Sequence, residues 1–371
     1  MKKILYAKPS ITQLEIDYVN DAIKNGWGEH CYDYIVKFSE EFKRYLNVKY
    51  AIPTSSCTGA LHLALYSIGL MPGDEVIVPD ISWIASVSPI TYFNARPIFV
   101  DVLEDTWCID PKKIEEAITE KTKAIIPIHL YGNLAEMDEI LSIAKNHNLI
   151  VIEDAAEALG SEYKGKKAGT MGDFGIFSFH GTKVITTGEG GMIVTNNKDF
   201  YENLEIIADH GRDPKVPKTF WCERLGLKYK ISNLQAALGC AQLKRIQELL
   251  NKKREIFFLY KKYLSSIEDI KLNPEPEYTK NSYWMPTIVF GKKYNFDRDD
   301  LLDYLKKNGI TPRPFFYPTS TFPMFEEKKE NVISQKIYHR GINLPSYFEI
   351  KKEEIKYICE VIKEFINKDN I

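Results

Sequence analysis

The sequence predicts an α/β protein whose main domain holds a mainly parallel central β-sheet with helices on both faces, with a smaller α+β domain at the C-terminal end. Two observations carry this prediction. Short, nearly continuous apolar runs alternate with runs of helical spacing over about the first 250 residues, which is the pattern of a parallel sheet buried on both sides. Beyond that point the alternation stops, and isolated strands and amphipathic helices follow one another.

Runs rich in Val, Ile and Phe predict the strands of the main sheet, because these residues suit a pleated and fully buried surface. Such runs lie at residues 75–79, 97–102, 123–129, 149–153, 174–179 and 191–195. In the C-terminal part, similar runs at 283–290 and 310–317 predict two further strands.

Apolar residues spaced three and four apart predict the helices between these strands. Pro111 suits the first position of one of them. The predicted helices cover 12–25, 33–46, 58–69, 111–120, 134–147, 232–264, 297–308 and 352–367. A chain of 371 residues is long enough for two domains. We place their boundary in the long helical run, which gives an N-terminal arm and large domain over 1–250 and a small domain over 251–371.

The composition excludes several classes of function. The chain carries 49 basic and 51 acidic residues, a net charge of −2, so it has no bulk attraction for nucleic acid or an anionic membrane. Its six cysteines form no CxxC pair and its seven histidines no HxxxH pair, so we expect no metal site and a reducing compartment. The N-terminus lacks a signal-peptide pattern, and no apolar run approaches the ~20 residues of a membrane span. We therefore expect a cytoplasmic protein.

Three polar segments lie at or after the ends of predicted strands, where a parallel sheet binds its ligands. The first, residues 178–191, contains Lys183 among glycines and hydroxyls. A partly buried lysine becomes a nucleophilic amine, as a Schiff base requires. The plain alternative is a solvated loop lysine.

The second segment ends the strand at 149–153 and places Asp154 beyond it. A carboxylate there needs a partner, and a protonated pyridine nitrogen is one. The alternative is an ordinary helix N-cap, for which Asp is favoured.

The third segment, residues 54–59, carries hydroxyls at the start of a helical run. Free backbone N–H groups beside hydroxyls form an anion site, and ordinary capping by Ser or Thr is the alternative. Each segment alone leaves its alternative open. Together they supply a phosphate seat, a nitrogen partner and an amine, which are the three groups that pyridoxal phosphate requires.

The strings that hold these residues resemble the sugar aminotransferases of the DegT/DnrJ/EryC1/StrS family, within fold type I of the pyridoxal-phosphate enzymes, the aspartate aminotransferase-like fold. The likeness runs from about residue 8 to 367. The strings are GDEVIVPDISWIAS (73–86), VIEDAAEALGSEYKGKKAGTMGDFGIFSFHGTKVITTGEGGMIVTN (151–196) and ISNLQAALGCAQL (231–243).

The resemblance implies a role for each matched residue. Lys183 matches the Schiff-base lysine, and Asp154 matches the partner of the pyridine nitrogen. Asn233 matches an asparagine that reaches the phosphate across a dimer interface, so the resemblance implies a homodimer with a shared active site. The remaining implied contacts are Glu157 near the ring hydroxyl, Trp83 stacked on the ring, Ser178, Thr58 and the amide of Cys57 at the phosphate, and Arg313, Tyr317 and His339 near the sugar nucleotide. For Trp83 core packing is the alternative, and for the last three it is a surface or interdomain contact.

The C-terminal strings PRPFFYPTSTFPMFE (312–326) and HRGINLPS (339–346) resemble the subgroup that aminates GDP-4-keto-6-deoxymannose with glutamate as amino donor. The run TGEGG at 187–191 resembles the family's C4 aminotransferases. The chain departs from the pattern at 28–32, Lys228, Lys230 and Ser320, all around the implied sugar site, and at Cys57, where the family often has Gly. A dTDP- or UDP-linked keto sugar therefore remains an alternative substrate. Two further functions compete with amination: that of a sugar dehydratase of the same family, which carries His in place of Lys183, and that of a non-catalytic regulatory protein.

Overall fold

The fold is built around a seven-stranded sheet, seen in a computed structural model that describes residues 3–368. The strands of this sheet are β1 (Tyr50–Thr54), β2 (Glu75–Pro79), β3 (Arg96–Val100), β4 (Thr122–Ile125), β5 (Ile150–Asp154), β8 (Phe174–Ser178) and β9 (Gly191–Thr195). The strand order is β1-β9-β8-β5-β4-β2-β3, and β9 alone runs against the other six. The predicted α/β class with a mainly parallel sheet is confirmed.

Helices cover both faces of this sheet and continue into the C-terminal part. Helix α3 packs on one face with α4 and α7, whereas α2 and α8 lie over the other face against the start of the chain. The helices of the described residues are α1 (Gln13–Asn25), α2 (Asp33–Leu46), α3 (Cys57–Ser67), α4 (Ser88–Thr91), α5 (Pro111–Ala117), α6 (Met137–His147), α7 (Lys198–Ile207), α8 (Asn233–Lys244), α9 (Ile246–Leu264), α10 (Arg298–Lys307), α11 (Val332–Tyr338) and α12 (Lys352–Lys368).

Two smaller sheets complete the fold. Strands β10 (Ile270–Leu272), β12 (Thr287–Phe290), β14 (Gly341–Asn343) and β13 (Arg313–Pro314) form an antiparallel sheet in that order. Strands β6 (Glu162–Tyr163), β7 (Lys166–Lys167) and β11 (Thr279–Lys280) form a three-stranded one. The four-stranded sheet, α10 and α12 enclose a separate apolar core.

Two predicted strands are shorter in the structure because of proline. The run predicted at 310–317 forms a strand only at Arg313–Pro314, apart from one isolated bridge at Ile310, and the run at 283–290 forms a strand only at Thr287–Phe290. Pro312 and Pro286 lie immediately before the paired residues and have no N–H to donate to a ladder, so pairing begins only after them. The unpaired parts of both runs become walls of the cavity described below.

The long predicted helix at 232–264 is two helices joined at Arg245, which has non-helical backbone angles. Leu249 and Leu250 of α9 belong to the core under the main sheet, whereas Ile256 and Tyr260 belong to the C-terminal core. This change of partner within one helix supports a domain boundary near residue 250, which stays a prediction. The N-terminal arm crosses that boundary, since Ile4 pairs with Ile310.

Candidate active site

The carboxyl ends of the parallel strands open into a cavity of about 520 Å³. It lies between the main sheet and the segments that precede β12 and follow β13. Nine of the eleven predicted site residues line it: Cys57, Thr58, Trp83, Asp154, Glu157, Ser178, Lys183, Arg313 and Tyr317.

The N-terminus of α3 forms a potential anion-binding site in the wall of the cavity, which we call the α3 seat. Ser56 is its N-cap, and its hydroxyl accepts a hydrogen bond from the N–H of Gly59 at 3.0 Å. The N–H groups of Cys57 and Thr58 lie in the first turn, where helical geometry offers no carbonyl partner. Gly191 is required here, because a Cβ at that position would lie 2.6 Å from the Cys57 nitrogen. Ser56 therefore caps the helix, as the alternative interpretation held, and the N–H groups of Cys57 and Thr58 are present beside this cap for an anion.

Asp154 is the last residue of β5, and its side chain is held in the floor of the cavity. The residue is only 4% exposed, and one carboxylate oxygen accepts a hydrogen bond from the Ser86 hydroxyl at 2.7 Å. The other accepts the N–H of Ala156 at 3.0 Å. Turns rather than a helix follow Asp154, so the N-cap alternative is wrong.

Lys183 points into the cavity from the loop after β8. Its side chain is 13% exposed, and Nζ lies 3.3 Å from Oε1 of Glu157. The same Nζ lies 3.8 Å from the ring centroid of Trp284. The alternative of a solvated loop lysine is therefore wrong, because the amine is enclosed by an acidic and an aromatic partner.

Glu157 is a buried carboxyl that faces this amine. Its second oxygen accepts a hydrogen bond from the backbone N–H of Tyr131 at 2.9 Å. Burial raises the pKa of Glu157, and the nearby Lys183 ammonium partly opposes that rise. Burial and the neighbouring Asp154 also raise the pKa of the Cys57 thiol, so the thiol stays protonated and the backbone amide is the group that Cys57 offers an anion.

Aromatic and basic side chains form the mouth of the cavity. Trp83 is 58% exposed and lies at a tilt to Phe316, with ring centroids 6.2 Å apart, so core packing is not its role. The guanidinium carbon of Arg313 lies 5.1 Å from the ring centroid of Tyr6. Tyr317 is 42% exposed, and its hydroxyl accepts a hydrogen bond from Arg298 at 3.2 Å.

These residues fit pyridoxal phosphate. The amide seat at α3 and the hydroxyl of Ser178 suit its phosphate, and Asp154 suits its pyridine nitrogen. Lys183 carries an amine of the kind that joins this cofactor, within the same cavity. Glycine at position 191 keeps a side chain out of this backbone turn.

Comparison with known proteins identifies the family to which this chain belongs. The profile of the DegT/DnrJ/EryC1/StrS aminotransferase family matches residues 9–363. The chain belongs to this family.

Relatives in the family resemble this aminotransferase over nearly their whole length. It is 43% identical over 366 residues to GDP-perosamine synthase of Escherichia coli O157:H7, covering 98% of this chain and 99% of the relative. It is 37% identical over 363 residues to GDP-perosamine synthase of Vibrio cholerae, covering 97% and 98%. Among solved structures, it matches the putative sugar aminotransferase Spr1654 of Streptococcus pneumoniae in its PMP form with a TM-score of 0.92, 28% identity and coverage of 99% and 98%.

Three predictions are thereby confirmed. The protein is a pyridoxal-phosphate-dependent sugar aminotransferase, it has the fold type I architecture, and pyridoxal phosphate is its cofactor. The alternative of a non-catalytic protein is excluded. In the described residues 3–368 no helix is long and apolar enough to cross a membrane, and no group of three or more His, Cys, Asp or Glu side chains is placed to hold a metal ion.

Two predicted residues lie outside the cavity of their own chain. The Asn233 amide accepts the N–H of Tyr34 at 2.9 Å and donates to the carbonyls of Gly26 and His30, both at 3.3 Å. The ring of His339 lies at a tilt against that of Tyr338, with centroids 3.8 Å apart. The roles drawn from the resemblance for Asn233 and His339 remain predictions.

Several cavity residues were not found by sequence reasoning. The hydroxyl partner of Asp154, Ser86, lies in a quoted family string but carries no signal of its own. Others come from distant parts of the chain, among them Tyr6, Trp284, Phe316 and Asn343. Trp284 lies in a run predicted only as a strand, and Tyr6 in the N-terminal arm, so nothing in their local pattern marks them as site residues.

Proposed function

We propose that this sugar-nucleotide aminotransferase moves the amino group of glutamate onto the C4 ketone of a nucleotide-linked 4-keto-6-deoxy sugar, with GDP-4-keto-6-deoxymannose as substrate and GDP-perosamine as product. The observation that carries the proposal is that Lys183, Asp154 and the α3 seat line one cavity whose mouth holds Arg313 and Tyr317. The two relatives named as GDP-perosamine synthases support the choice of sugar and nucleotide.

Asp154 and Lys183 have separate roles in the proposed reaction. Bound pyridoxal phosphate supplies the electron sink that stabilises negative charge on the carbon losing its proton. Asp154, oriented by Ser86, keeps a negative charge beside the ring nitrogen and so strengthens that sink. Lys183 Nζ removes the Cα proton of glutamate in the first half of the reaction, and in the second half it delivers a proton to C4 of the sugar.

Arg313 is the proposed anchor for the anionic part of the substrate. Its guanidinium lies at the mouth of the cavity beside Tyr6, and the residue is exposed. Because the whole chain carries a net charge of only −2, an anionic nucleotide sugar must be held by such a local group. Tyr317, fixed by Arg298, lies on the same rim.

The active unit that we propose is a homodimer whose two sites are shared. Large apolar side chains are exposed on the segment from α1 to α2 and on the loop before α8, including Trp27 at 62%, Val36 at 60% and Phe220 at 91%. Exposed apolar groups of this size favour a protein partner. Asn233 does not reach the cavity of its own chain, which leaves the partner's cavity as its proposed place.

A dTDP- or UDP-linked keto sugar is the second candidate. Lys228 and Lys230 differ from the subgroup pattern, and both lie near the Asp209 carboxylate, at 3.9 and 3.5 Å. Lys230 also lies 4.6 Å from the ring centroid of Tyr32, within the altered segment 28–32. These departures form one cluster, so a changed nucleotide preference is the function that they favour.

The test is an amination assay with glutamate and GDP-, dTDP- and UDP-linked 4-keto-6-deoxy sugars, in which products are identified by mass spectrometry. We expect an aminated product from GDP-4-keto-6-deoxymannose. A product from another nucleotide alone would keep the chemistry and overturn the substrate. No product from any of them, in a protein that glutamate converts to the pyridoxamine form, would place the acceptor outside this class of sugars.

A further inference from the structure

Trp284 is fixed rigidly beside the loop that carries Lys183. It is only 4% exposed, and its indole N–H donates a hydrogen bond to the carbonyl oxygen of Thr182 at 2.7 Å. Its ring stacks on Tyr131, with centroids 6.2 Å apart and planes 27° from parallel. The indole is therefore held at its edge by the residue preceding Lys183 and at its face by a second aromatic ring.

The amine of Lys183 lies between this ring and a carboxylate. Nζ is 3.8 Å from the ring centroid of Trp284 and 3.3 Å from Oε1 of Glu157. An ammonium over an indole face is attracted by the negative potential of the ring, most strongly where water is largely excluded. Both contacts hold the unlinked lysine in one position.

We propose that Trp284 is a positioning residue that holds the Lys183 ammonium whenever this lysine is not joined to the cofactor. The inference rests on the proposed function, in which Lys183 alternates between a linked and a free amine. A free lysine side chain has several rotatable bonds, and a fixed resting place keeps Nζ near the reacting carbon. Trp284 precedes β12, so the C-terminal part of the chain contributes to the seat of the lysine.

The test uses cofactor-free protein and trace acetylation, with the Lys183 peptide quantified by mass spectrometry. Labelling is compared at about pH 8 and at about pH 11, where most lysine amines are neutral. The ratio of the labelling rate at the lower pH to the rate at the higher pH corrects for differences in how easily the reagent reaches the cavity. In Trp284→Leu we expect this ratio to rise about fivefold, because the ammonium loses its ring face. Trp284→Phe keeps a ring face and should stay within about twofold of the unchanged protein.

Two results would overturn the proposal. A ratio unchanged in Trp284→Leu would mean that the ring does not stabilise the ammonium. An equal rise in both variants would assign the effect to the lost hydrogen bond with Thr182. Trp83→Leu is the matched control, since it removes an indole from the same cavity without a contact to Lys183, and its ratio should not change. Thermal melting checks that each variant is folded.

The outcome is independent of the reaction. Failure of the labelling test with normal binding of pyridoxal phosphate would reject the role of Trp284 and leave the proposed function intact. Failure of the protein to bind the cofactor at Lys183 would reject the proposed function, whatever the labelling ratio shows.

Discussion

Asp154 and Glu157 are buried carboxyl groups three residues apart, but they have different partners. Asp154 accepts hydrogen bonds from Ser86 and the N–H of Ala156, whereas Glu157 faces the Lys183 ammonium and the N–H of Tyr131. Such partners offset the cost of removing a charge from water. The sequence pointed to Asp154 and Lys183 because each follows a strand. It could not show Ser86 or Trp284 as their partners, since those contacts depend on tertiary packing.

Replacing Asp154 by Asn tests the nitrogen partner. Asp154→Asn should lower kcat roughly 100- to 1000-fold, because an electrostatic partner of the developing charge is lost. Single-turnover kinetics with glutamate measure the effect on the first half-reaction. Ser86→Ala, which removes only the hydrogen bond to the carboxylate, should cost about tenfold. An Asp154→Asn enzyme with unchanged kcat would show that the carboxylate does not serve the ring nitrogen.

At the level of secondary-structure elements, hydrophobic periodicity predicted the strands of the parallel sheet well. It gave two strands that are too long and missed one helix. The predicted 75–79 and 191–195 coincide with β2 and β9. Prolines shortened two predicted strands, and the helix α7 was not predicted, although Asn197 caps it through the N–H groups of Asp199 and Phe200. Phe200, Leu204 and Ile207 also have helical spacing and share one core, so the sequence does carry the signal of this helix. The sequence does not show where a helix changes its packing partner, as α9 does.

Lys253 lies in α9 at the point where the helix changes from one core to the other. Its burial leads us to predict that the stability of the protein depends on pH. Its ammonium donates to the carbonyl and the hydroxyl of Ser346, and burial lowers the pKa of Lys253 to about 7. In the unfolded chain the amine keeps its ordinary pKa of about 10.4, so between these values the unfolded state binds more protons and the free energy of unfolding rises with pH.

The matching experiment is denaturant unfolding at pH 7 and pH 9. Relative to Lys253→Met, the wild-type protein should gain about 2 kcal/mol of unfolding free energy between these two pH values. Lys252→Met is the control, because the Lys252 amine pairs with Glu255 at 3.0 Å and lies nearer the surface. Equal pH slopes for wild type and Lys253→Met would show that Lys253 is charged in the folded state throughout this range.

At the scale of the whole molecule, one chain supplies nine of the eleven predicted site residues to the cavity. Sequence strings were enough to place Lys183, Asp154 and the α3 seat together, because strands of one sheet bring their carboxyl ends to one edge. Asn233 and His339 lie elsewhere in the chain that carries them. Where such side chains lie relative to the cavity depends on tertiary packing, so their positions could not be predicted from a local sequence pattern.

A shared active site predicts complementation between inactive variants. Lys183→Ala and Asn233→Ala would each lose activity, the second by weakening the phosphate contact in the partner's cavity. When the two are co-expressed, half of the dimers are mixed and one of their two sites is intact, so activity should recover to about a quarter of wild type. Light scattering confirms the dimer. No recovery in confirmed mixed dimers would place Asn233 in the structure of its own chain alone.

The most direct test of the central claim is a single turnover of the pyridoxamine form with GDP-4-keto-6-deoxymannose, followed by absorbance. We predict that the sugar nucleotide restores the yellow absorbance of cofactor joined to Lys183 and yields one aminated sugar per site, whereas Lys183→Ala does neither. If the wild-type pyridoxamine form is stable in the presence of this sugar nucleotide, the proposed substrate is wrong. If Lys183→Ala turns over as the wild type does, the role assigned to Lys183 is wrong.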